Sequence, residues 1–230
     1  QRLILVDGSG YIFRAFYALP PMSREDGTPV NAVFGFTSML LKLSEDMEGE
    51  NILVVFDAAR TTFRNAIYKE YKANRSEPPE ELVPQFDLIK KATTAIGLKS
   101  LEVENYEADD IIATYVKIAK KENIETLVIS SDKDLMQLIQ DGVSLYDPMK
   151  NIKIGPEAVL EKFGVSPDKV IDVQALAGDS SDNIPGVPGI GIKTASELIN
   201  KYKNLDTLLE KASEIPQNKR RETLIANKDK

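Results

Sequence analysis

The sequence predicts an α/β protein with a mostly parallel central sheet flanked by helices. Three short apolar runs, at 3–6, 52–56 and 126–129, are rich in branched residues and typical of buried parallel strands. Amphipathic helical patterns alternate with these runs, as they do in α/β proteins. From residue 156 onward the pattern is wholly helical apart from a Gly/Pro-rich stretch, which predicts a C-terminal helical module.

The remaining elements follow from periodicity and turn residues. Helical patterns, the third of them ending at Gly97, occupy 11–19, 33–43, 86–96 and 111–119. Short strands are expected at 101–103, 143–146 and 152–154, the last two as a hairpin or edge pair. Residues 60–82 offer few apolar side chains for burial, so we expect a mobile, protruding segment there.

Composition excludes several classes of protein. The 230 residues include neither cysteine nor histidine, so disulfides, thiolate zinc sites, imidazole bases and Ser–His or Cys–His pairs are impossible. Hydrolytic chemistry would therefore need carboxylates, lysine, tyrosine or a hard metal ion. The N-terminus does not resemble a secretory signal and no apolar stretch is long enough to span a membrane, so we expect a cytoplasmic location.

The net charge of −7 is a weak objection to nucleic-acid binding, because the distribution of charge matters more than its sum. The stretch from 60 to 75 contains one acid and five basic residues, namely Arg60, Arg64, Lys69, Lys72 and Arg75. Divalent cations bound to a carboxylate cluster would also reduce its repulsion of phosphate.

An aspartate follows each of the three apolar runs: Asp7, Asp57 and Asp132. In open α/β sheets the ligand crevice lies outside the carboxyl ends of the strands, so all three side chains are expected at one edge. A single such aspartate is more often a turn residue or helix N-cap. Three together, with further acids close behind, indicate a metal site.

Nine carboxylates belong to this predicted constellation: Asp7, Asp57, Glu107, Asp109, Asp110, Asp132, Asp134, Asp179 and Asp182. Capping of a helix remains an alternative for 107–110, and a solvated loop for Asp132 and Asp134. Unpaired carboxylates would repel one another, and Mg²⁺ or Mn²⁺ is the natural counter-charge for oxygen ligands. Two ions about 4 Å apart suit phosphodiester hydrolysis.

The stretch 186–195 is rich in glycine but is not a Walker A motif, because Ile192 separates Gly191 from Lys193. It follows no predicted strand, so a dinucleotide fingerprint is disfavoured. A plain interhelical turn remains an alternative. A hairpin between two helices fits better, because its backbone N–H groups and the next helix N-terminus can bind duplex phosphates without regard to sequence.

Several longer motifs together resemble the 5′ nuclease (flap endonuclease) family, in the form that bacteria join to a DNA polymerase. They are Leu5-Val6-Asp7-Gly8 with Arg14 seven positions after Asp7, Val55-Phe56-Asp57, Phe63-Arg64, residues 71–75, residues 106–110, residues 130–134 and residues 178–191. The resemblance covers nearly the whole chain. It implies a PIN-like core with an arch at about 60–97 within 1–175, and a helix-hairpin-helix-type module at 176–230 that is incomplete at its C-terminus.

The resemblance also implies roles for individual residues. Asp7, Asp57, Glu107 and Asp109, with Asp110 nearby, would surround one metal site, and Asp132, Asp134, Asp179 and Asp182 the second. Arg14, Lys72 and Arg75 would act on the scissile phosphate. DNA contacts would come from Arg64, from Tyr71 stacking on an unpaired base, and from Gly186, Gly189, Gly191, Lys193 and Thr194, with K⁺ often at the hairpin.

The leading hypothesis is a Mg²⁺-dependent 5′→3′ exonuclease and 5′-flap endonuclease that removes primers and repairs DNA. Its substrates would carry a flap, a nick or a 5′ end, including an RNA-primed one. The family's domain usually extends past residue 230, so we expect a monomeric part of a longer chain that includes a polymerase. Two alternatives are a binding-only domain with incomplete metal sites and a phosphohydrolase of small esters. Ser9, where a haloacid-dehalogenase pattern needs aspartate, counts against the latter.

Overall fold

The computed structural model describes residues 2–148 and 150–228. Within them the strands are β1 (Leu3–Asp7), β2 (Asn51–Val55), β3 (Lys99–Leu101), β4 (Thr126–Ile129), β5 (Val143–Asp147), β6 (Ile152–Ile154), β7 (Gly178–Asp179) and β8 (Ile184–Pro185). The α-helices are α1 (Gly8–Ala18), α2 (Asn31–Asp46), α3 (Phe63–Ile67), α4 (Val83–Ala95), α5 (Ala108–Lys121), α6 (Pro156–Phe163), α7 (Val170–Ala177), α8 (Ile192–Tyr202), α9 (Leu205–Glu210) and α10 (Asn218–Ala226). None of these helices is both long and apolar enough to cross a membrane.

Six strands form one sheet in the order β3-β2-β1-β4-β5-β6, which confirms the predicted α/β class. The pairs β1–β2, β1–β4, β2–β3 and β4–β5 are parallel. The predicted edge pair is also present, since β5 and β6 are neighbours and β6 ends the sheet. The strand order reverses between β1 and β4, so the crevice expected of such folds lies outside the carboxyl ends of these two strands.

A hydrophobic core lies around β1, β2 and β4 and the helices that follow them. Val6, Val54 and Ile129 come from the three central strands, and Phe36 and Leu40 from α2. All five side chains are almost fully buried. Fully burying one such side chain contributes roughly 1.5–3 kcal/mol, so this core fixes the sheet edge on which the acids stand.

Gln85 joins three helices through hydrogen bonds inside this core. Its side chain is fully buried, its oxygen accepts from the amides of Ala32 and Val33 at 2.8 and 3.1 Å, and its nitrogen donates to Asn31 Oδ1 and to the Glu81 carbonyl oxygen. Asn31 in turn donates to the Phe16 carbonyl oxygen. The amide side chain therefore satisfies two orphan N–H groups at the start of α2 and ties α1, α2 and α4 together.

The chain divides into two compact units. The first comprises residues 2–66, 76–135 and 141–153, and the second comprises 67–75, 136–140 and 154–228. In the second unit α7 packs against α8, with Val173, Leu176 and Ile199 buried. The predicted division at 175/176 stays a prediction.

The C-terminal part is not wholly helical, so that expectation is wrong. β7 and β8 form a short antiparallel pair, with Gly178 opposite Pro185 and Asp179 opposite Ile184. Two glycines permit the close approach, because a Cβ added at Gly178 would lie 2.3 Å from the Gly186 nitrogen. Gly178 also has a φ of +72°, which favours glycine. Two-residue strands of this kind carry no periodicity in the sequence.

Candidate active site

Asp7 stands at the centre of the candidate site, where β1 ends and α1 begins. It is the N-cap of α1 and its Oδ1 accepts from the Gly10 amide at 3.2 Å. Its Oδ2 accepts from the Ser130 hydroxyl at 2.8 Å. With 7% of its surface exposed, the side chain is buried between the ends of β1 and β4.

Asp7 does not ionise as readily as an ordinary aspartate. Burial raises its pKa from 3.8 to about 6, hydrogen bonds from Ser130 and Gly10 oppose the rise, and the negative charges of Asp132 and Asp57 add to it. Asp132 and Asp57 are therefore each near enough to Asp7 to disfavour its charge, although burial is the main cause of the shift.

The second strand-ending aspartate, Asp57, lies at the start of α5. Its Oδ1 accepts from the Ala108 amide at 2.6 Å, and its own amide donates to the Ser9 hydroxyl at 3.1 Å. Glu107 and Asp110 form a capping box around the first turn of α5. Capping, the alternative to metal binding for 107–110, therefore describes part of what these acids do. Asp109 lies half-buried in the same turn.

Arg64 is paired with Asp110 by two parallel hydrogen bonds of 2.7 and 2.8 Å. Its guanidinium carbon also lies 4.7 Å from the centre of the Phe63 ring. Sequence reasoning missed this pair, because the partners are 46 positions apart and nothing in either motif points to the other. DNA contact by Arg64 stays a prediction.

Asp132 and Asp134 follow β4 in a tightly bonded turn. The Asp132 amide donates to Ser130 Oγ at 3.0 Å, and the Asp134 amide donates to Asp132 Oδ1 at 2.8 Å. Asp134 begins the 3₁₀ helix Asp134–Leu138. Arg14, another of the predicted site residues, lies on α1 and is exposed to solvent. Ser130 was not among the predicted site residues, although it stands directly between β4 and the acids.

The remaining two acids lie in the second unit, Asp179 at the end of β7 and Asp182 on the loop that joins β7 to β8. Asp179 Oδ1 accepts from both the amide and the hydroxyl of Ser181, at 2.9 and 2.5 Å. Asp182 accepts from the Tyr71 hydroxyl at 3.2 Å and from Arg75 Nη2 at 2.5 Å. Lys72 Nζ lies 3.8 Å from Asp182 as well. Both acids are buried.

The stretch 67–75 is bonded to the loop between β7 and β8, although most of its side chains are exposed, and the predicted mobility and protrusion of 60–82 stay a prediction. The Tyr71 side chain is only 7% exposed, and Asn74 Nδ2 donates to the Ser180 carbonyl oxygen. The Lys72 amide donates to the Asp182 carbonyl oxygen at 2.9 Å. A distant acidic loop thus supplies acceptors for these polar groups. The predicted roles of Tyr71, Lys72 and Arg75 on DNA stay predictions.

The glycine-rich stretch lies between β8 and α8, so the expectation that it follows no strand is wrong, and its role as a DNA-binding hairpin stays a prediction. Gly191 is the N-cap residue of α8, and Lys193 is exposed in its first turn next to the half-buried Thr194. A Cβ at Gly191 or Gly189 would meet nothing within 4 Å. Gly186 differs, because a Cβ there would lie 2.3 Å from the Ala177 carbonyl carbon. Gly191 therefore presents open backbone, whereas Gly186 serves the packing of β8.

No group of three carboxylates among residues 2–148 and 150–228 is arranged to hold a metal ion as it stands. The donor set nevertheless fits a hard divalent cation, because it consists of oxygens alone and Asp7 is held by neutral donors. Binding requires carboxylates such as Asp57 and Asp132, now bonded to backbone amides, to direct an oxygen at the ion.

A mostly parallel sheet with carboxylates at its switch point, followed by a helical module, suits a nuclease, and the comparison with known families shows that class. The chain belongs to the 5′-3′ exonuclease family. The family's N-terminal resolvase-like domain matches residues 2–164 of this chain, and the family's C-terminal SAM fold matches residues 165–230.

Similar proteins agree with this membership. The chain is 55% identical to DNA polymerase I of Rhizobium leguminosarum, with all of the chain and 23% of that protein covered. It is 44% identical to DNA polymerase I of Bacillus subtilis (strain 168), covering all of the chain and 26% of that protein. The chain thus spans about a quarter of these relatives.

A solved structure shares the fold. The bacteriophage T5 D15 flap endonuclease, crystallised as a pseudo-enzyme-product complex with DNA and metal ions, matches with a TM-score of 0.82 and 24% identity. The match covers 100% of this chain and 85% of that one.

Proposed function

We propose that this chain is a divalent-metal-dependent, structure-specific 5′ nuclease. It hydrolyses DNA phosphodiesters at 5′ ends and at 5′ flaps near duplex junctions, in primer removal and DNA repair. The observation that carries the proposal is that Asp7, Asp57 and Asp132 follow the neighbouring parallel strands β1, β2 and β4, with Asp7 buried at the switch point. Membership of the 5′-3′ exonuclease family supports the same function.

The relatives support a proposal about the larger protein in which this activity works. Because the similar proteins are bacterial DNA polymerases I, we propose that the chain works as the nuclease part of such a polymerase, in the cytosol at the nucleoid. Its substrates then include RNA-primed 5′ ends, which a polymerase meets when it reaches the preceding fragment.

We propose that two or more Mg²⁺ or Mn²⁺ ions bind to the nine carboxylates. Asp7, Asp57, Glu107 and Asp109 would hold one ion, with Asp110 supporting them through its bonds to α5 and Arg64. Asp132, Asp134, Asp179 and Asp182 would hold the second. When bound, the ions lower the pKa of the attacking water and stabilise the leaving oxygen.

Positive side chains would hold the substrate phosphates. Lys72 and Arg75 both pair with Asp182 in the protein alone, so a phosphate can replace that carboxylate as their partner. Arg14 is exposed on α1 and would act on the scissile phosphate. Gly189, Gly191, Lys193 and Thr194 would bind the duplex backbone at the start of α8, with K⁺ at the hairpin.

A 5′-flap duplex tests the proposal directly. Incubation with Mg²⁺ should cut near the junction, and EDTA should stop the reaction. Asp134→Ala should abolish cleavage without weakening flap binding, because a negative charge that repels phosphate is lost. Asp141→Ala, which changes an exposed aspartate in the turn before β5, is the matched control and should cut normally.

Two results would contradict the proposal. Intact flap substrate at stoichiometric enzyme with Mg²⁺ or Mn²⁺ would exclude nuclease activity, and tight binding under the same conditions would favour a binding-only domain. Full activity of Asp134→Ala would instead exclude only the second metal site as assigned. Lys72→Ala should slow cleavage with a modest loss of affinity, since one phosphate contact is a small part of the total.

A further inference from the structure

Ser130 occupies the position between β4 and the acids at the switch point of the sheet. It follows Ile129, the last residue of β4, and only 1% of its surface is exposed. Its amide donates to the Tyr146 carbonyl oxygen at 3.1 Å, which continues the pairing of β4 with β5 past the end of the strand. The backbone of Ser130 is therefore held as firmly as a strand residue.

The Ser130 hydroxyl joins the carboxylate of Asp7 to the backbone of Asp132. It donates its single proton to Asp7 Oδ2 at 2.8 Å and accepts from the Asp132 amide at 3.0 Å. The two acids stand on neighbouring parallel strands, β1 and β4. One small side chain thus fixes the orientation of the Asp7 carboxylate and the path of the backbone that carries Asp132.

A local turn is the plain alternative explanation, because serine hydroxyls often accept from the amide two residues later. Such a turn uses only the hydroxyl oxygen and does not determine which acceptor the hydroxyl proton is donated to. Here the proton reaches Asp7, 123 positions away and buried, so the contact does more than close a turn. The bond also satisfies the only hydrogen-bond donor of the serine side chain.

The neutrality of this bond matters for a cation. Ser130 and the Gly10 amide hold both oxygens of Asp7 without adding charge. Each carboxylate oxygen can accept a second partner, so both remain able to bind an ion. Asp110 provides the contrast, because its charge is matched by the Arg64 guanidinium.

We propose that Ser130 is a positioning residue that holds the Asp7 carboxylate in the orientation in which it binds a divalent cation. The proposal rests on the proposed metal-dependent function. Hydrogen-bond partners of metal ligands typically change metal affinity 10–100-fold when they are removed. Loss of the Ser130 hydroxyl frees the Asp7 carboxylate to rotate, and that rotation must be stopped again when the ion binds.

The test measures Mn²⁺ binding without DNA, by the electron paramagnetic resonance signal of free Mn²⁺. Ser130→Ala should weaken binding about 10–100-fold. Ser131→Ala, in the exposed neighbour, should bind as the wild type does. Ser130→Thr keeps the hydroxyl and should restore most of the affinity. In flap cleavage, Ser130→Ala should lower kcat at limiting Mn²⁺, recover at high Mn²⁺ and leave KM for DNA unchanged.

The outcomes separate this proposal from the proposed function. If wild-type protein binds no Mn²⁺, the metal-dependent function itself is wrong. If Asp7→Asn binds it equally well, Asp7 is not a ligand and the proposed role of Ser130 is wrong. If the wild type binds and Ser130→Ala binds equally well, only the role of Ser130 is wrong. Thermal unfolding in EDTA shows whether Ser130→Ala is folded. Should it not fold, Ser130→Cys, which keeps the size but donates weakly, decides by the same measurement.

Discussion

Asp7→Asn should make the metal-free protein more stable at pH 8, although it removes a residue of the proposed active site. The unfolded chain releases the Asp7 proton near pH 3.8, whereas the folded protein retains it up to about pH 6. Between these values the unfolded state binds fewer protons, so stability falls as pH rises. At ~1.4 kcal/mol per pKa unit, the loss amounts to ~3 kcal/mol and persists above pH 6.

Asparagine cannot ionise and therefore escapes this loss. Its carbonyl oxygen can still accept from the Gly10 amide, and its amide nitrogen can donate to Ser130 Oγ. In a protein of this size ~3 kcal/mol corresponds to a rise in Tm of about 6–12 °C. The gain should shrink as pH is lowered and should vanish below about pH 3.8, where wild-type Asp7 is protonated in both states.

Thermal unfolding in EDTA at pH 8 and at pH 4.5 measures both effects. Asp141→Asn removes an exposed charge and should leave Tm nearly unchanged at either pH. Adding Mn²⁺ at pH 8 should raise the Tm of the wild type and not that of Asp7→Asn, because the ion replaces the missing counter-charge. A lower Tm for Asp7→Asn at pH 8, or an equal gain at both pH values, would refute the reasoning.

Three further predictions concern residues outside the metal site. Gln85→Met leaves two amide donors and two oxygen acceptors without their hydrogen-bond partner, so we expect the free energy of unfolding to fall by at least ~3 kcal/mol. A fall in Tm below about 2 °C would contradict this. Gly186→Ala should destabilise strongly because its Cβ meets backbone, whereas Gly191→Ala should not, and equal Tm values would be inconsistent with the geometry. Arg64→Lys keeps the charge but cannot form both bonds to Asp110, so the urea midpoint should indicate a loss of ~1 kcal/mol, and an unchanged midpoint would argue against the pair.

The sheet could be predicted from the sequence because its signals are local. The run at 126–129 is a strand with those bounds, and the run at 3–6 is extended by one residue, Asp7. The acids at the carboxyl edge followed from this alone, since parallel strands end together. α5 was predicted equally well, because its apolar face repeats with helical period.

The partners of the polar side chains could not be predicted. Arg64 with Asp110, Tyr71 with Asp182 and Ser130 with Asp7 join positions 46, 111 and 123 residues apart. Such pairs depend on how the elements pack, and no single motif contains both members. The burial of Tyr71 was missed for the same reason, because its local sequence is polar and basic while its acceptor lies on a distant loop.

The pairing of β1 with β4 has a consequence for the order in which the protein is made. Leu3 pairs with Thr126, so the centre of the sheet cannot close until residue 126 has left the ribosome. Contacts of such long sequence separation also form slowly. Asp7 is synthesised early, but its neighbours Ser130 and Asp132 are synthesised more than 120 residues later. An incomplete nascent chain therefore has no assembled metal site, and the proposed nuclease cannot cut DNA before its core is complete.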